Sequence, residues 1–324
     1  MPRFLCFLLL SLLSQLPLCA QTDTVSLSEP SVQSPESSIQ SPESYAFVER
    51  DSTLYLDVYQ PSAPNGYTIV HIFGGGFVSG SRLHPWDADY CRRLAAEGYV
   101  AVAMDYRLGL KGVTKVGVGN LKPLEEAFYM AAADCSAAIR FLVGHAQELG
   151  IDKDKIILEG SSAGAITALM TDYGRCNGLS FCQELPEGWA PAGVVAYSGA
   201  IYSQAGKVKW TEHQPAPTLL FHGTIDKIVP YKQVELFNKG LYGADALIKR
   251  FNKFKLPACI YRFTGLGHEV SVGGKETIDE LNMFVKQYLT DKRSLHLDIT
   301  VSDDNKQPSE FSYMTLKDLY SPKK

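Results

Sequence analysis

One segment restricts this chain more than any other: Gly160-Ser161-Ser162-Ala163-Gly164, between the apolar run Ile156-Ile157-Leu158 and the helix-forming run 165–170. To pass from strand to helix within five residues the chain must reverse sharply. The positions flanking the bend must then be small, so that strand and helix can approach. Gly160 and Gly164 meet that need. The bend strains the central residue and lifts its hydroxyl clear, the setting of a nucleophilic serine. The same pattern also occurs in ordinary Gly-Ser turns. Here the strand before it, the helix after it and a glycine triplet upstream set it apart.

That triplet is Gly74-Gly75-Gly76, directly after the apolar run 67–73. Acyl transfer builds negative charge on a tetrahedral oxygen, and backbone N–H groups stabilise it where no side chain blocks their approach. Gly75, Gly76 and the residue after the serine, Ala163, are the candidate donors. No Gly-Lys-Ser/Thr follows, so a nucleotide loop is disfavoured. Asp226, after the strand 218–221, and His268, in Gly265-Leu266-Gly267-His268-Glu269 after the strand 259–263, complete the order Ser…Asp…His. Histidine would relay the serine proton, and the carboxylate would fix its tautomer. The other histidines fit less well. His71 and His222 lie in or at strand ends as structural residues, His84, His145 and His213 precede Asp226, and His296 follows the core pattern.

The surrounding pattern is that of a sheet covered on both faces. Near-continuous apolar runs at 67–73, 100–104 and 155–159 read as parallel strands buried on both sides. Further strands are expected at 193–197, 218–221 and 259–263. Helical patterns cover 86–97, 124–149, 232–251 and 276–289. Strand alternating with helix gives an α/β architecture with right-handed crossovers. Segments 46–49 and 54–59 alternate around polar Arg50-Asp51-Ser52 and read as an antiparallel hairpin at one edge. With 324 residues, 45% of them hydrophobic, a single large core is available; a net charge of −4 without like-charge runs points away from nucleic acid.

The flanks read differently. Residues 1–20 follow the pattern of a secretory signal peptide, with Arg3, a Leu/Phe-rich stretch and Leu18-Cys19-Ala20. The stretch is short for a stable membrane span, which needs about 20 apolar residues. The expected location is therefore secreted or periplasmic. An uncleaved anchor and a lipoprotein attached at Cys19 are the alternatives, though Leu18 is bulky for the latter. Residues 21–44 contain a tandem Ser-Pro-Glu-Ser repeat and read as a disordered linker before a catalytic domain over 45–292. Residues 293–324 form an extension to which the sequence assigns no role. Of seven cysteines, Cys176 and Cys182 are close enough for a local disulfide, and buried free thiols suit Cys91, Cys135 and Cys259.

The segments 71–80, 104–108, 160–165, 221–230 and 267–269 together resemble the bacterial carboxylesterase and lipase branch of the α/β hydrolases, close to the hormone-sensitive-lipase-like esterases. The resemblance covers roughly 45–292. It implies the α/β-hydrolase fold, a mostly parallel central sheet with helices on both faces and an N-terminal antiparallel hairpin. It also implies Ser162, Asp226 and His268 as a triad, with Gly75, Gly76 and Ala163 as the oxyanion hole. Phe73 stands where many relatives carry His before the glycines; some carry Tyr. Asp105-Tyr106-Arg107 reads as structural, with Arg107 bracing loops.

The expected activity is hydrolysis of small or short-acyl esters through an acyl-enzyme, with no metal or organic cofactor implied. The expected partner is a small-molecule ester or acylated carbohydrate. Oligomeric state is not legible. No large insertion stands between Tyr197 and Thr218, which disfavours a large lid, and segments 111–120 and 172–189 are candidates to shape the pocket. A prolyl-oligopeptidase-like peptidase and a non-catalytic binding protein on the same fold are the rivals. The first normally carries a large extra domain, and the second commonly lacks a triad residue.

Overall fold

The computed structural model describes residues 41–113, 121–303 and 308–320. The expected signal peptide, most of the linker and most of the 111–120 loop lie outside the described residues. The chain opens with the expected hairpin, β1 (Glu43–Glu49) and β2 (Ser52–Tyr59), paired Glu43 to Val58 through Glu49 to Ser52. Strand β1 starts two residues inside the segment read as linker.

The elements that follow are β3 (Thr68–Ile72), α1 (Pro85–Ala96), β4 (Val100–Met104), α2 (Lys122–Gly144), β5 (Ile156–Ser161), α3 (Ala163–Cys176), β6 (Gly193–Tyr197), β7 (Ala200–Ser203) and β8 (Thr218–Gly223). After them come β9 (Gln233–Leu236), β10 (Lys239–Gly243), α4 (Ala244–Lys253), β11 (Ala258–Phe263), α5 (Ile278–Phe284), β12 (His296–Val301) and α6 (Leu316–Tyr320). Nine strands form one sheet in the order β1-β2-β4-β3-β5-β6-β8-β11-β12. Strand β2 runs against both of its neighbours, and every other pairing in this sheet is parallel.

Side chains alternate across the strands, so a buried sheet feeds two cores. Val100, Val102 and Met104 of β4 enter the core with α2, α3 and α4. Ala101 and Ala103 enter the other with α1 and α5. Helix α2 is long and apolar enough to cross a membrane, yet two thirds of its apolar window is buried. It packs on α3 and β1 as a core helix.

Two expectations need correction. The segment 232–251, read as one helix, begins with β9 and β10, which join β7 in a small antiparallel sheet; only Ala244–Lys253 is helical. Phe237, at the hairpin bend with φ 56°, and Asn238 make the turn, and Gly243 cannot carry a side chain because a Cβ would lie 1.7 Å from the Pro230 carbonyl oxygen. The local disulfide between Cys176 and Cys182 does not form; all five cysteines after the expected signal are buried free thiols. Cys182 Sγ points at the Thr171 carbonyl (3.3 Å), while Cys176 Sγ faces Asp172 and Arg175.

The extension 293–324 is part of the fold where it is described. Strand β12 adds a parallel edge to β11, from Ala258 opposite His296 to Phe263 opposite Val301. A short 3₁₀ turn (Glu310–Tyr313) and α6 follow.

Candidate active site

Strand β4 lies on one side of β3 and β5 on the other, so the chain reverses its direction of advance at β3/β5. Crevices at such switch points lie at the carboxyl ends of the strands. The glycine loop leaves β3 there, and Ser162 leaves β5 there.

Ser162 has φ 52° and ψ −112°, far from ordinary serine backbone, and is held by its N–H to the Tyr197 carbonyl (2.8 Å) and by its own carbonyl to the Ile166 N–H (2.9 Å). The bend needs its glycines: a Cβ on Gly164 would lie 1.8 Å from the Ile72 carbonyl oxygen, and one on Gly160 2.3 Å from the Gly164 carbonyl carbon. The serine is thus fixed in a strained position at the first turn of α3.

Ser162 Oγ lies 2.8 Å from His268 Nε2, and His268 Nδ1 lies 2.8 Å from Asp226 Oδ2. All three residues are buried. Asp226 Oδ1 accepts the N–H groups of Ile228 (2.9 Å) and Val229 (3.0 Å). Burial works against a charge on Asp226, but hydrogen bonds from His222 and His268 hold its carboxyl well below the usual range. An ionised Asp226 accepts a hydrogen bond from the Nδ1–H of His268, which fixes the tautomer that leaves Nε2 free to accept the serine proton.

On the other side of Ser162, Gly75, Gly76 and Phe77 follow one another with φ of 127°, 63° and 60°. Val78 and Ser79 donate back to the Gly75 carbonyl, both at 3.1 Å. A Cβ at Gly75 would stand 2.0 Å from the Ser79 carbonyl oxygen. The N–H groups of Gly75, Gly76 and Ala163 donate to no described carbonyl. They are free to serve a ligand atom above Ser162. Phe73, in place of the relatives' His, stacks on Tyr106 with ring centroids 4.4 Å apart, and its carbonyl accepts the Tyr106 hydroxyl (3.0 Å). Arg107 clasps Asp134 (2.6 Å) and approaches Glu49 (3.5 Å), the bracing role expected of it.

Three features escaped the sequence reading. His222 is structural, as expected, but it works at the site: Nε2 lies 3.1 Å from the Val229 carbonyl and 3.3 Å from Asp226 Oδ2, while Nδ1 has no partner among the described residues. Beneath the glycine loop His71 bridges Glu159 (2.6 Å) and Asp87 (2.8 Å). Burial alone would strip the His71 proton, but the flanking carboxylates push its pKa up to about 10. Glu159 in an otherwise apolar strand was the available signal, because a carboxylate there demands a partner. Third, the C-terminal segment reaches the site: Phe311 lies parallel to the His268 ring at 5.9 Å, and the Tyr320 hydroxyl donates to the Gly76 carbonyl (2.9 Å).

Two spaces open onto Ser162. One is an open cleft of about 330 Å³ whose walls include Trp86, Asp87, Val272 and Phe311. The other, about 20 Å³, is walled by apolar side chains and bordered by Gly76 and Ala163. Among the described residues, no group of three or more His, Cys, Asp or Glu has an arrangement that would hold a metal ion.

Two family models match the chain: BD-FAE over residues 56–180 and phospholipase/carboxylesterase over residues 129–257. Among characterised proteins, cholinesterase 1 of Branchiostoma lanceolatum is 38% identical over 122 residues, 36% of this chain and 31% of the relative. Para-nitrobenzyl esterase of Bacillus subtilis (strain 168) is 32% identical over 132 residues, 38% of this chain and 25% of the relative. The matched stretches thus span a third or less of either relative. Thermogutta terrifontis esterase 2, solved with propionate bound, superposes with a TM-score of 0.57 at 23% identity, covering 76% of this chain and 94% of that one. At that identity the likeness establishes the shared fold.

Proposed function

We propose that this chain, which has the α/β-hydrolase fold, is a serine carboxylesterase acting on small, short-acyl esters. The observation that carries the reading is the Ser162–His268–Asp226 chain of two 2.8 Å hydrogen bonds, with unpartnered N–H groups beside it. Ser162 Oγ attacks the ester carbonyl carbon while His268 Nε2 takes its proton. The carbonyl oxygen, now anionic, accepts hydrogen bonds from Gly75, Gly76 and Ala163. His268 returns the proton to the departing alkoxide, and the acyl group stays on Ser162. Water then attacks the acyl-enzyme by the same route in reverse, releasing the acid. Asp226 stays ionised throughout and stabilises the imidazolium.

The larger cleft, with Ser79, His84 and Asp87 among apolar walls that include Trp86 and Phe311, has room for the alcohol half of the ester. The N-terminal pattern supports export to a secreted or periplasmic location; N-terminal sequencing of the mature protein would show cleavage near residue 20, and an intact Met1 would refute it.

The test compares purified protein with Ser162→Ala on p-nitrophenyl acetate. Loss on the order of 10⁴-fold or more in kcat is expected. Equal rates would remove Ser162 from the mechanism. Aminoacyl amides assayed alongside separate an esterase from a peptidase, and failure to react with a fluorophosphonate probe would indicate a non-catalytic protein.

A further inference from the structure

The apolar space beside Ser162 lies against Gly76 and Ala163, the donors expected to face the carbonyl oxygen. An acyl chain whose carbonyl oxygen points at those donors and whose alkoxy oxygen points into the larger, open cleft has one direction left for its carbon tail. That direction is this space. Its fixed walls are core residues, among them Phe77, Phe128 and Ile166. Its remaining wall comes from the far end of the chain: Leu316 and Tyr320 of α6.

We propose that α6 sets the acyl specificity of the enzyme, with Tyr320 and Leu316 closing the acyl pocket so that it accepts acetyl and excludes longer chains. This rests on the esterase reading above and names the acyl half of its substrate. A volume of about 20 Å³ holds about one water-sized group, which is one methyl. Tyr320 is held in the closing position by its hydrogen bond to the Gly76 carbonyl (2.9 Å). The segment leading to it is tied down by the Ser312 hydroxyl on Glu269 and by the bridge between Lys227 and Thr315. Gly267, next to His268, leaves room for this: a Cβ there would come within 2.5 Å of Ser312 Cα. The α6 wall of the pocket is therefore held in place by the surrounding structure.

The experiment measures kcat/KM for p-nitrophenyl acetate, butyrate and hexanoate in the full-length protein and in Tyr320→Ala, Leu316→Ala and Tyr320→Phe. The wild type should fall about tenfold or more at each lengthening, since one methylene in a pocket changes discrimination by about 10–200-fold. Tyr320→Ala and Leu316→Ala should raise the butyrate-to-acetate ratio about tenfold or more. Tyr320→Phe keeps the ring and loses only the hydroxyl. It should lower all three rates by a common factor of about 2–10 with the ratio unchanged.

A wild type that hydrolyses hexanoate as fast as acetate overturns the proposal, whatever the variants do. So does a ratio unmoved in folded Tyr320→Ala and Leu316→Ala, and in either case Ser162-dependent turnover leaves the esterase reading standing. A wild type inert toward all three esters overturns both.

Discussion

Asp226 receives more hydrogen bonds than orienting one imidazole requires. Two backbone N–H groups meet one carboxylate oxygen, and His268 and His222 approach the other. Such a carboxylate is fixed in place and stays ionised at neutral pH. Replacing it with Asn keeps the shape but puts an amide against His268 Nδ1, which favours the wrong tautomer. Asp226→Asn should therefore reduce kcat on p-nitrophenyl acetate about 10⁴-fold with little change in KM; retention of even a tenth of the activity would remove Asp226 from its role. At this scale the sequence is most informative. Ser162, Asp226 and His268 were legible because each sits in a loop at the end of an apolar run, in chain order. The part of His222 was not, because nothing in Phe221-His222-Gly223 says that the side chain turns towards a loop four residues on.

Strands β3 and β5 carry more than the glycine loop and the nucleophile. They face each other through His71 and Glu159, one ladder step before the residues that turn into the site. A raised folded-state pKa means that the native protein holds the His71 proton more tightly than the unfolded chain does. The stability so gained is complete below about pH 6.5 and is lost as pH rises towards 10. Glu159 acts in the same sense, because burial raises its pKa. His71→Gln strands Glu159 without its cation and should cost about 3–5 kcal/mol near pH 6 in denaturant unfolding. The gap between wild type and variant should shrink as the pH is taken to 10; a gap that is flat or grows with pH would show that His71 is neutral in the native state. Gly164→Ala, which drives a Cβ into the Ile72 carbonyl oxygen, should destabilise by about 3 kcal/mol and reduce esterase activity. A stable, fully active variant would show that the elbow has room to spare. Sequence periodicity found these strands, but it read 232–251 as one helix. In the hairpin there, Gln233-Val234-Glu235-Leu236 of β9 alternate polar and apolar over only four residues, and all four are exposed, so the short strand signal was absorbed into the helical pattern around it.

For the whole molecule the main departure from expectation is the C-terminal extension. Leu295, Leu297, Ile299 and Val301 alternate with polar residues, the period of a half-buried strand. The signal was present, but an edge strand contributed after the last helix is not something local pattern can pair with a neighbour 38 residues earlier. The pairing is carried by hydrogen bonds along β11 and reinforced by Arg262, which binds Asp298 through Nε (2.5 Å) and Nη2 (2.8 Å) and reaches Asp245 of α4 through Nη1 (2.7 Å). One guanidinium thus joins β11, β12 and α4 close to the strand that leads into the His268 loop. Arg262→Gln should cost about 1–3 kcal/mol at pH 7, at the low end because Asp298 is half-exposed and screened by solvent. The hydrogen bonds from Arg262 to Asp298 lower that carboxyl's pKa, and at Asp245 the Lys249 and Arg262 contacts outweigh burial to the same effect. Their contribution is present above the ordinary carboxylate pKa of about 3.8 and is lost as pH falls below it. The difference in unfolding free energy between wild type and Arg262→Gln should accordingly be largest above pH 5 and close towards pH 2. A difference independent of pH would mean that Arg262 holds the edge by packing alone, and that β12 does not depend on charge for its place beside the site.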